Sequence, residues 1–254
     1  MKKDALGNRM KHNYEEVSKT RLTRRMPVII RLDGKAFHTF TKGLEKPFDR
    51  IFTIVMQETM KYLCENIQGC VFGYTQSDEI TLVLVDYQTL QSDAWFDYEV
   101  QKMVSVSASM ATLAFNRAIY ELLNSKTTPL NTDVAKLWES KLFKGTFDSR
   151  VFNIPKEEVT NCIFWRQLDA ERNSILSLAQ SLFSHRELNG VSCGDLLIKM
   201  DREKNVIWGN LPTHLKRGSA CYKVMGEWVV DLEMPQLKDS RRVYVDSLFM
   251  VGDN

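Results

Sequence analysis

The chain has 254 residues, 44% of them hydrophobic and 10% aromatic, which is enough apolar material for a core and excludes a disordered polymer. Its 34 Lys and Arg against 32 Asp and Glu leave a formal charge of +2, so composition alone writes in no whole-molecule attraction to nucleic acid. Five cysteines (Cys64, Cys70, Cys162, Cys193 and Cys221) form no CxxC pair and no zinc spacing, which fits free thiols in a reducing compartment.

No apolar run approaches the ~20 residues that a bilayer crossing requires. The N-terminus also lacks the apolar segment of a signal peptide, so a soluble, cytoplasmic protein with no membrane partner is expected. Residues 1–25 look helical and polar. Within them "SKTRLTRR" gathers Lys19, Arg21, Arg24 and Arg25, a basic cluster that either meets phosphates or is a solvated turn. "PVIIRLDG" then reads as a strand, with Val28, Ile30 and Leu32 on one side and Ile29, Arg31 and Asp33 on the other. Over residues 49–68, Phe52, Met56, Met60, Leu63 and Ile67 recur at the spacing of an amphipathic helix. "CVFGYT" and "ITLVLVD" flank "QSDE", a β-hairpin with acids near its turn. A second helix is predicted over 95–123, and "GTFDSRVFNIP" supplies a fourth strand closed by Pro155. Helices over 157–183 and from Ser192 follow, and "EWVVDLEM" and "RRVYVDSLF" read as two further strands.

The order β-α-β-β-α-β predicts an α+β protein of the ferredoxin-like arrangement, two helices covering one face of a four-stranded antiparallel sheet. Residues 1–155 form that region with an N-terminal helix, and residues 156–254 form a helical and hairpin extension on it.

In this arrangement Asp33, at the outgoing end of the first strand, lies near Asp78 in the hairpin. Two close carboxylates repel unless a cation intervenes. A divalent ion removes that penalty, and one or two carboxylates plus substrate phosphates are how Mg²⁺ is usually held. Two such ions suit in-line phosphoryl transfer. Gly34, lacking Cβ, lets a ligand approach and leaves its carbonyl free. The plainer alternative is that Asp33-Gly34 is a turn and Asp78-Glu79 a hairpin tip. Glu79 has a looser claim on the site, because neighbours alternate sides along a strand. Trp165 and Trp208 read as core rather than as base-stacking residues, and His185 and His214 as surface positions.

The blocks "DALGNRMKHNYE", "RLDGKAFHTFTKG", "KPFD", "YTQSDEI", "FDSRVF" and "WRQLDAERN" together resemble, in order, the tRNA-histidine guanylyltransferases and the related guanylyltransferase-like 3′–5′ polymerases. The resemblance spans residues 4–173. It implies a polymerase-like palm with two Mg²⁺ ions, acting on the 5′ end of tRNA with nucleoside triphosphates as substrates and ATP or GTP as the activating nucleotide. It also suggests a homotetramer. By the same resemblance Asp33 and Asp78 correspond to metal-binding, catalytic carboxylates, the Gly34 carbonyl to a further ligand, and Glu79 to an acidic neighbour important to activity. Lys35, Phe37, His38, Lys46, Asp49, Ser77 and Lys102 correspond to nucleotide contacts. Compact lysine cations at such places suit phosphate oxygens. The cluster Lys19, Arg21, Arg24 and Arg25, with Lys141 and Lys144 of "SKLFKG" and with Asn173, supplies candidate RNA contacts.

One departure matters. The histidine-specific enzymes carry a His-Ile-Asn-Asn-Leu-Tyr-Asn run where this chain has Glu171-Arg172-Asn173-Ser174-Ile175, and only Asn173 matches. This favours the like-protein branch, which fills missing 5′ nucleotides on truncated tRNA using the opposite strand of the acceptor stem as template. Guanylyl addition to tRNA-histidine is the alternative within the family. A non-catalytic RNA-binding module and a palm-fold nucleotide cyclase are the alternatives from other classes.

Overall fold

A computed structural model describes residues 4–125 and 130–249 and builds one antiparallel sheet of six strands, in spatial order Phe147–Asn153, Val28–Gly34, Glu79–Leu84, Cys70–Gln76, Ser219–Val224 and Glu227–Asp231. The chain enters through α1 (Ala5–Met10), where the Asp4 carboxylate accepts the Gly7 N–H at 2.9 Å. Helical turns continue only to Ser18, not to Arg25. Beyond Ser18 the backbone is needed elsewhere: Arg21 bridges to Glu99, and the Leu22 N–H donates to the Tyr98 carbonyl at 3.0 Å. Residues 1–3 of the expected helix lie outside the described residues.

β1 (Val28–Gly34) sends Val28, Ile30 and Leu32 against α3 (Arg50–Asn66) and α4 (Val100–Leu123), as its alternation predicts. Each large apolar side chain buried there stabilises the fold by roughly 1.5–3 kcal/mol relative to exposure. β2 (Cys70–Gln76) and β3 (Glu79–Leu84) are joined by the two-residue turn Ser77-Asp78, with Ser77 at φ +49° as tight hairpin turns require. α4 begins later than residue 95, because Phe96, Asp97 and Tyr98 adopt positive φ in the preceding turn. Two short helices escaped the periodicity, α2 (Phe37–Phe40) and α5 (Thr132–Glu139). β4 (Phe147–Asn153) pairs with β1 at the sheet edge.

The opposite face is covered by α6 (Lys156–Leu182) and α10 (Val243–Phe249), whose Val159, Ile163, Val245 and Phe249 meet Ile29, Phe72 and Val83. α7 (His185–Leu188) and α8 (Cys193–Lys204) extend the chain beside the second half of α6, where Leu196 and Met200 join Ile175 and Leu178 in a separate cluster. α9 (Thr213–Arg217) then leads into β5 (Ser219–Val224) and β6 (Glu227–Asp231). "RRVYVDSLF" is therefore not a strand. Val245 and Phe249, four residues apart, share the buried face of α10, and the partner of β6 is "SACYKV". Gly218 permits this join: at φ +84°, a Cβ there would stand 2.6 Å from the Thr75 carbonyl oxygen of β2.

Candidate active site

The end of β1 and the hairpin turn bring acids together at one end of the sheet. Asp33 is opposite Glu79 on β3 and Asp148 on β4, so the three project from the same face. The Gly34 N–H donates to the Asp78 carbonyl at 3.1 Å, which ties the strand end to the turn. The Ser77 hydroxyl donates to Asp78 Oδ1 at 3.1 Å. Burial pushes the Asp78 carboxyl above its ordinary value, and the nearby Asp33 adds to the rise.

The acids are not equivalent. Arg166 Nε lies 2.6 Å from Glu79 Oε1, an ion pair that lacks hydrogen-bond alignment, and its other end reaches Asp169 at 2.8 Å. Burial still holds the Glu79 carboxyl above its usual range, with Arg166 opposing. Asp148 pairs with Arg150 at 3.4 Å. Among the described residues, neither Asp33 nor Asp78 has an ion-pair partner. Half-buried carboxylates that repel each other and have no cation are a donor set that fits a divalent ion, and their all-oxygen chemistry suits Mg²⁺. No cluster of three or more His, Cys, Asp or Glu side chains stands ready among the described residues, so any ion there would need ligands beyond this chain's side chains.

Beside the turn opens a cavity of about 280 Å³, lined by Thr41, Lys46, Asp49, Ser77, Asn173 and His214 among others. Lys46 is exposed at its rim. The Asp49 carboxylate caps α3, accepting the Phe52 N–H at 2.9 Å and the Glu45 N–H at 3.0 Å, so it shapes the wall through the backbone. Asn173 donates to Asp169 Oδ2 at 3.3 Å. His38 is exposed on α2, and Lys35 is exposed with its N–H donating to the Thr146 carbonyl at 2.8 Å.

Several expected contacts are corrected. Phe37 is buried among Phe40, Phe52, Phe115 and Phe147, so its ring is core and cannot meet a nucleotide. It also explains Gly34, where a Cβ would overlap that ring. Lys102 stands near the start of α4, ten residues before Thr112, whose hydroxyl accepts the Phe147 N–H at the acidic end of the sheet. That offset is roughly 15 Å of helix, so within this chain Lys102 belongs to the opposite end. Lys141 is buried and donates to the carbonyls of Phe40 and, at 2.8 Å, Lys42, so it is not presented to RNA. Arg24 is spent on Asp86 at 2.7 Å, Asp93 at 2.8 Å and Asp97 at 3.1 Å. Arg21 pairs with Asp97 at 3.2 Å, and Lys19 lies 4.0 Å from Glu15. Arg25 and Lys144 remain exposed.

Other features were missed. His214 is no plain surface residue: it lines the cavity, its Nδ1 is buried without a partner, and burial lowers its pKa. Gln57 Nε2 donates to Ser219 Oγ at 2.9 Å in the same wall. Both depend on β5 pairing with β2, which no local pattern announced. Trp208 packs by its cluster with Nε1 donating to Ser174 Oγ at 3.0 Å, whereas Trp165 is half exposed.

A family model for tRNAHis guanylyltransferase (Thg1) matches residues 7–155, more than half of the chain. The chain belongs to this family. It is a nucleotidyltransferase of the guanylyltransferase kind. A bacterial tRNA(His) guanylyltransferase-like protein solved in complex with ATP is 40% identical, with TM-score 0.86 over 97% of this chain and 100% of that one. A bacterial guanylyltransferase-like protein in complex with GTP is 37% identical, with TM-score 0.79 over the same shares. The probable tRNA(His) guanylyltransferase of Drosophila melanogaster is 24% identical over 221 residues, covering 79% of this chain and 69% of the fly protein. No helix among the described residues is long and apolar enough to cross a membrane.

Proposed function

We propose that this family member adds nucleotides in the 3′–5′ direction to the 5′ end of truncated tRNA, copying the opposite strand of the acceptor stem. The observation that carries the reading is the pairing of Asp33 with Asp78, locked by the Gly34–Asp78 backbone bond beside a cavity of about 280 Å³. The core is read as palm-like over residues 1–155, with residues 156–254 as its extension. Two Mg²⁺ ions would be held by Asp33, Asp78 and the Gly34 carbonyl with substrate phosphates completing them, and would supply charge neutralisation for the attacking and leaving oxygens.

The chain's own residues bind and orient. Lys46 and Lys35 are exposed and make no ion pair among the described residues, and they are placed to meet phosphate oxygens of the activating ATP or GTP. Ser77 holds Asp78 in position. His38 is exposed on α2, four residues after Gly34, in reach of a nucleotide rather than of the core. In the first transfer, an oxygen of the RNA 5′-monophosphate attacks the α-phosphate of the nucleotide, forming a 5′–5′ phosphoanhydride and releasing pyrophosphate. In the second, the 3′-hydroxyl of an incoming nucleoside triphosphate attacks the activated 5′ phosphate, loses its proton and releases the nucleoside monophosphate. Positioning and charge dominate both steps. Template choice would come from base pairing, with the protein reading the shape of the acceptor end.

The departure at residues 171–175 supports repair over histidine-specific addition. Here Glu171 accepts from Arg217 at 3.0 Å and Ser174 donates to the Lys216 carbonyl at 3.1 Å, so the segment fastens α6 to α9. A cytoplasmic homotetramer acting on tRNA completes the proposal. The test is incubation of 3′-labelled tRNA, with and without its first nucleotide, with Mg²⁺ and nucleoside triphosphates. The expected result is template-matched 5′ extension of the truncated tRNA. Guanosine added only to intact tRNA-histidine would favour the alternative activity, and an unchanged RNA with consumed nucleotide would indicate a cyclase.

A further inference from the structure

The sheet face that carries Asp33 is covered unevenly. α6 shields β2 and β3, while the outward residues Asp148 and Arg150 of edge strand β4 stay exposed. In the β1–β4 register Arg31 is directly opposite Arg150, and both point to the same face as Asp33. Like charges in that relation destabilise a sheet. Arg150 is compensated in part by Asp148. Arg31 makes no ion pair among the described residues, and its Nε is buried without a hydrogen-bond partner. Glu79, diagonal to it on β3, feels the Arg31 charge, but its ion-pair partner is Arg166 at 2.6 Å.

The flank of α6 presents Trp165 to this strip. Its ring centroid lies 5.6 Å from the Arg31 guanidinium and 4.4 Å from that of Arg166, and the residue is 52% exposed. Leu168, one turn further on and also exposed, extends the apolar edge. Arg31 is two strand residues from Asp33, roughly 7 Å along β1. Leading away from the acids, the strip therefore offers one exposed indole and two guanidiniums without full compensation. A planar π-face among cations is what an unpaired nucleotide strand recognises: the base stacks and the phosphates meet arginine.

We infer that Trp165, with Arg31 and Arg150, is a stacking platform for an unpaired nucleotide of the RNA end lying next to the reacting 5′ phosphate. This rests on the RNA-end reading proposed above. The proposal is tested by fluorescence anisotropy of 3′-labelled truncated tRNA, an unpaired RNA oligomer and a blunt RNA duplex, titrated with the full chain without nucleotide. Trp165→Ala is expected to weaken truncated tRNA and the oligomer by roughly five- to a hundred-fold, the range of one base stack, and the blunt duplex little. Trp165→Tyr should keep most of the affinity, and calorimetric ATP binding should be unchanged in both. Arg150→Gln should reduce the slope of log affinity against log salt by about 0.7 for the oligomer. That variant carries the test alone if Trp165→Ala fails to fold. Unaltered RNA affinity in Trp165→Ala, an equal loss of ATP affinity, or an unchanged salt slope in Arg150→Gln overturns the platform. A wild-type chain that neither binds nor extends tRNA overturns the RNA-end reading itself, whereas normal binding and extension with an indifferent Trp165→Ala overturns only the platform.

Discussion

Asp33 is directly opposite Glu79 in the β1–β3 register, yet among the described residues Glu79 has an ion-pair partner, Arg166 at 2.6 Å, and Asp33 has none. The acids therefore divide by neighbour: Glu79 belongs to the packing of α6 on the sheet, and Asp33 is left with Asp78. Asp33→Asn and Asp78→Asn should each lower nucleotidyl transfer by about 100-fold or more, the scale of losing a group that stabilises transition-state charge. Circular dichroism should show both proteins folded. Near-normal transfer in either would remove the pair from the chemistry.

Arg166 is expected to matter through stability. Its side chain and that of Glu79 are 9% and 14% exposed, so removing the cation strands a buried carboxylate. Arg166→Met should cost about 3–5 kcal/mol in urea unfolding. Adding Glu79→Gln should return much of that loss, because the uncompensated charge goes with it. A double variant no more stable than the single one would show that Arg166 acts mainly through Asp169.

Asp78 makes stability depend on pH in a definite direction. Its folded-state pKa is raised above the ordinary 3.8, chiefly by burial, so the folded chain holds this proton more tightly than the unfolded chain does. The associated stability is fully present below 3.8 and is lost as pH rises through the folded value. Without divalent ions, Asp78→Asn should therefore melt above wild type at pH 7, with the gap closing as pH falls toward 4. Added Mg²⁺ should raise the wild-type melting temperature and leave the variant's nearly unchanged. A gap that widened on acidification would reverse the assignment.

Much of this frame was legible in the chain. The alternation of "VIIRLDG" set the faces of β1, the three- and four-residue spacing set α3, and the position of Asp33 and Asp78 at element ends set their convergence. What was not legible depends on long-range pairing. Val243–Phe249 carries spaced apolar residues that suit strand or helix, and only packing on α6 and β2 selects the helix. β5 is short, and its pairing with β2 across more than a hundred residues decides that His214 and Ser219 line the cavity. Charge also misled: Arg24 and Lys141 look free in the sequence because Asp86, Asp93, Asp97 and the Phe40 carbonyl are distant along the chain.

Lys141 separates structural from RNA-binding roles most directly. Its ammonium satisfies the carbonyls of Phe40 and Lys42 on the segment that leads from α2 into the cavity wall, and burial lowers its pKa. Lys141→Met keeps the length of the stem and leaves two carbonyl oxygens unsatisfied, which should cost about 1–3 kcal/mol. Because Thr41 and Lys46 lie on or just beyond that segment, ATP affinity should fall as well. The salt dependence of tRNA binding should not change, since no phosphate contact is removed. If instead unfolding is unaltered and the salt slope falls by about 0.7–0.9, the value for one lost phosphate contact, then Lys141 reaches RNA and its buried position is not the one that functions.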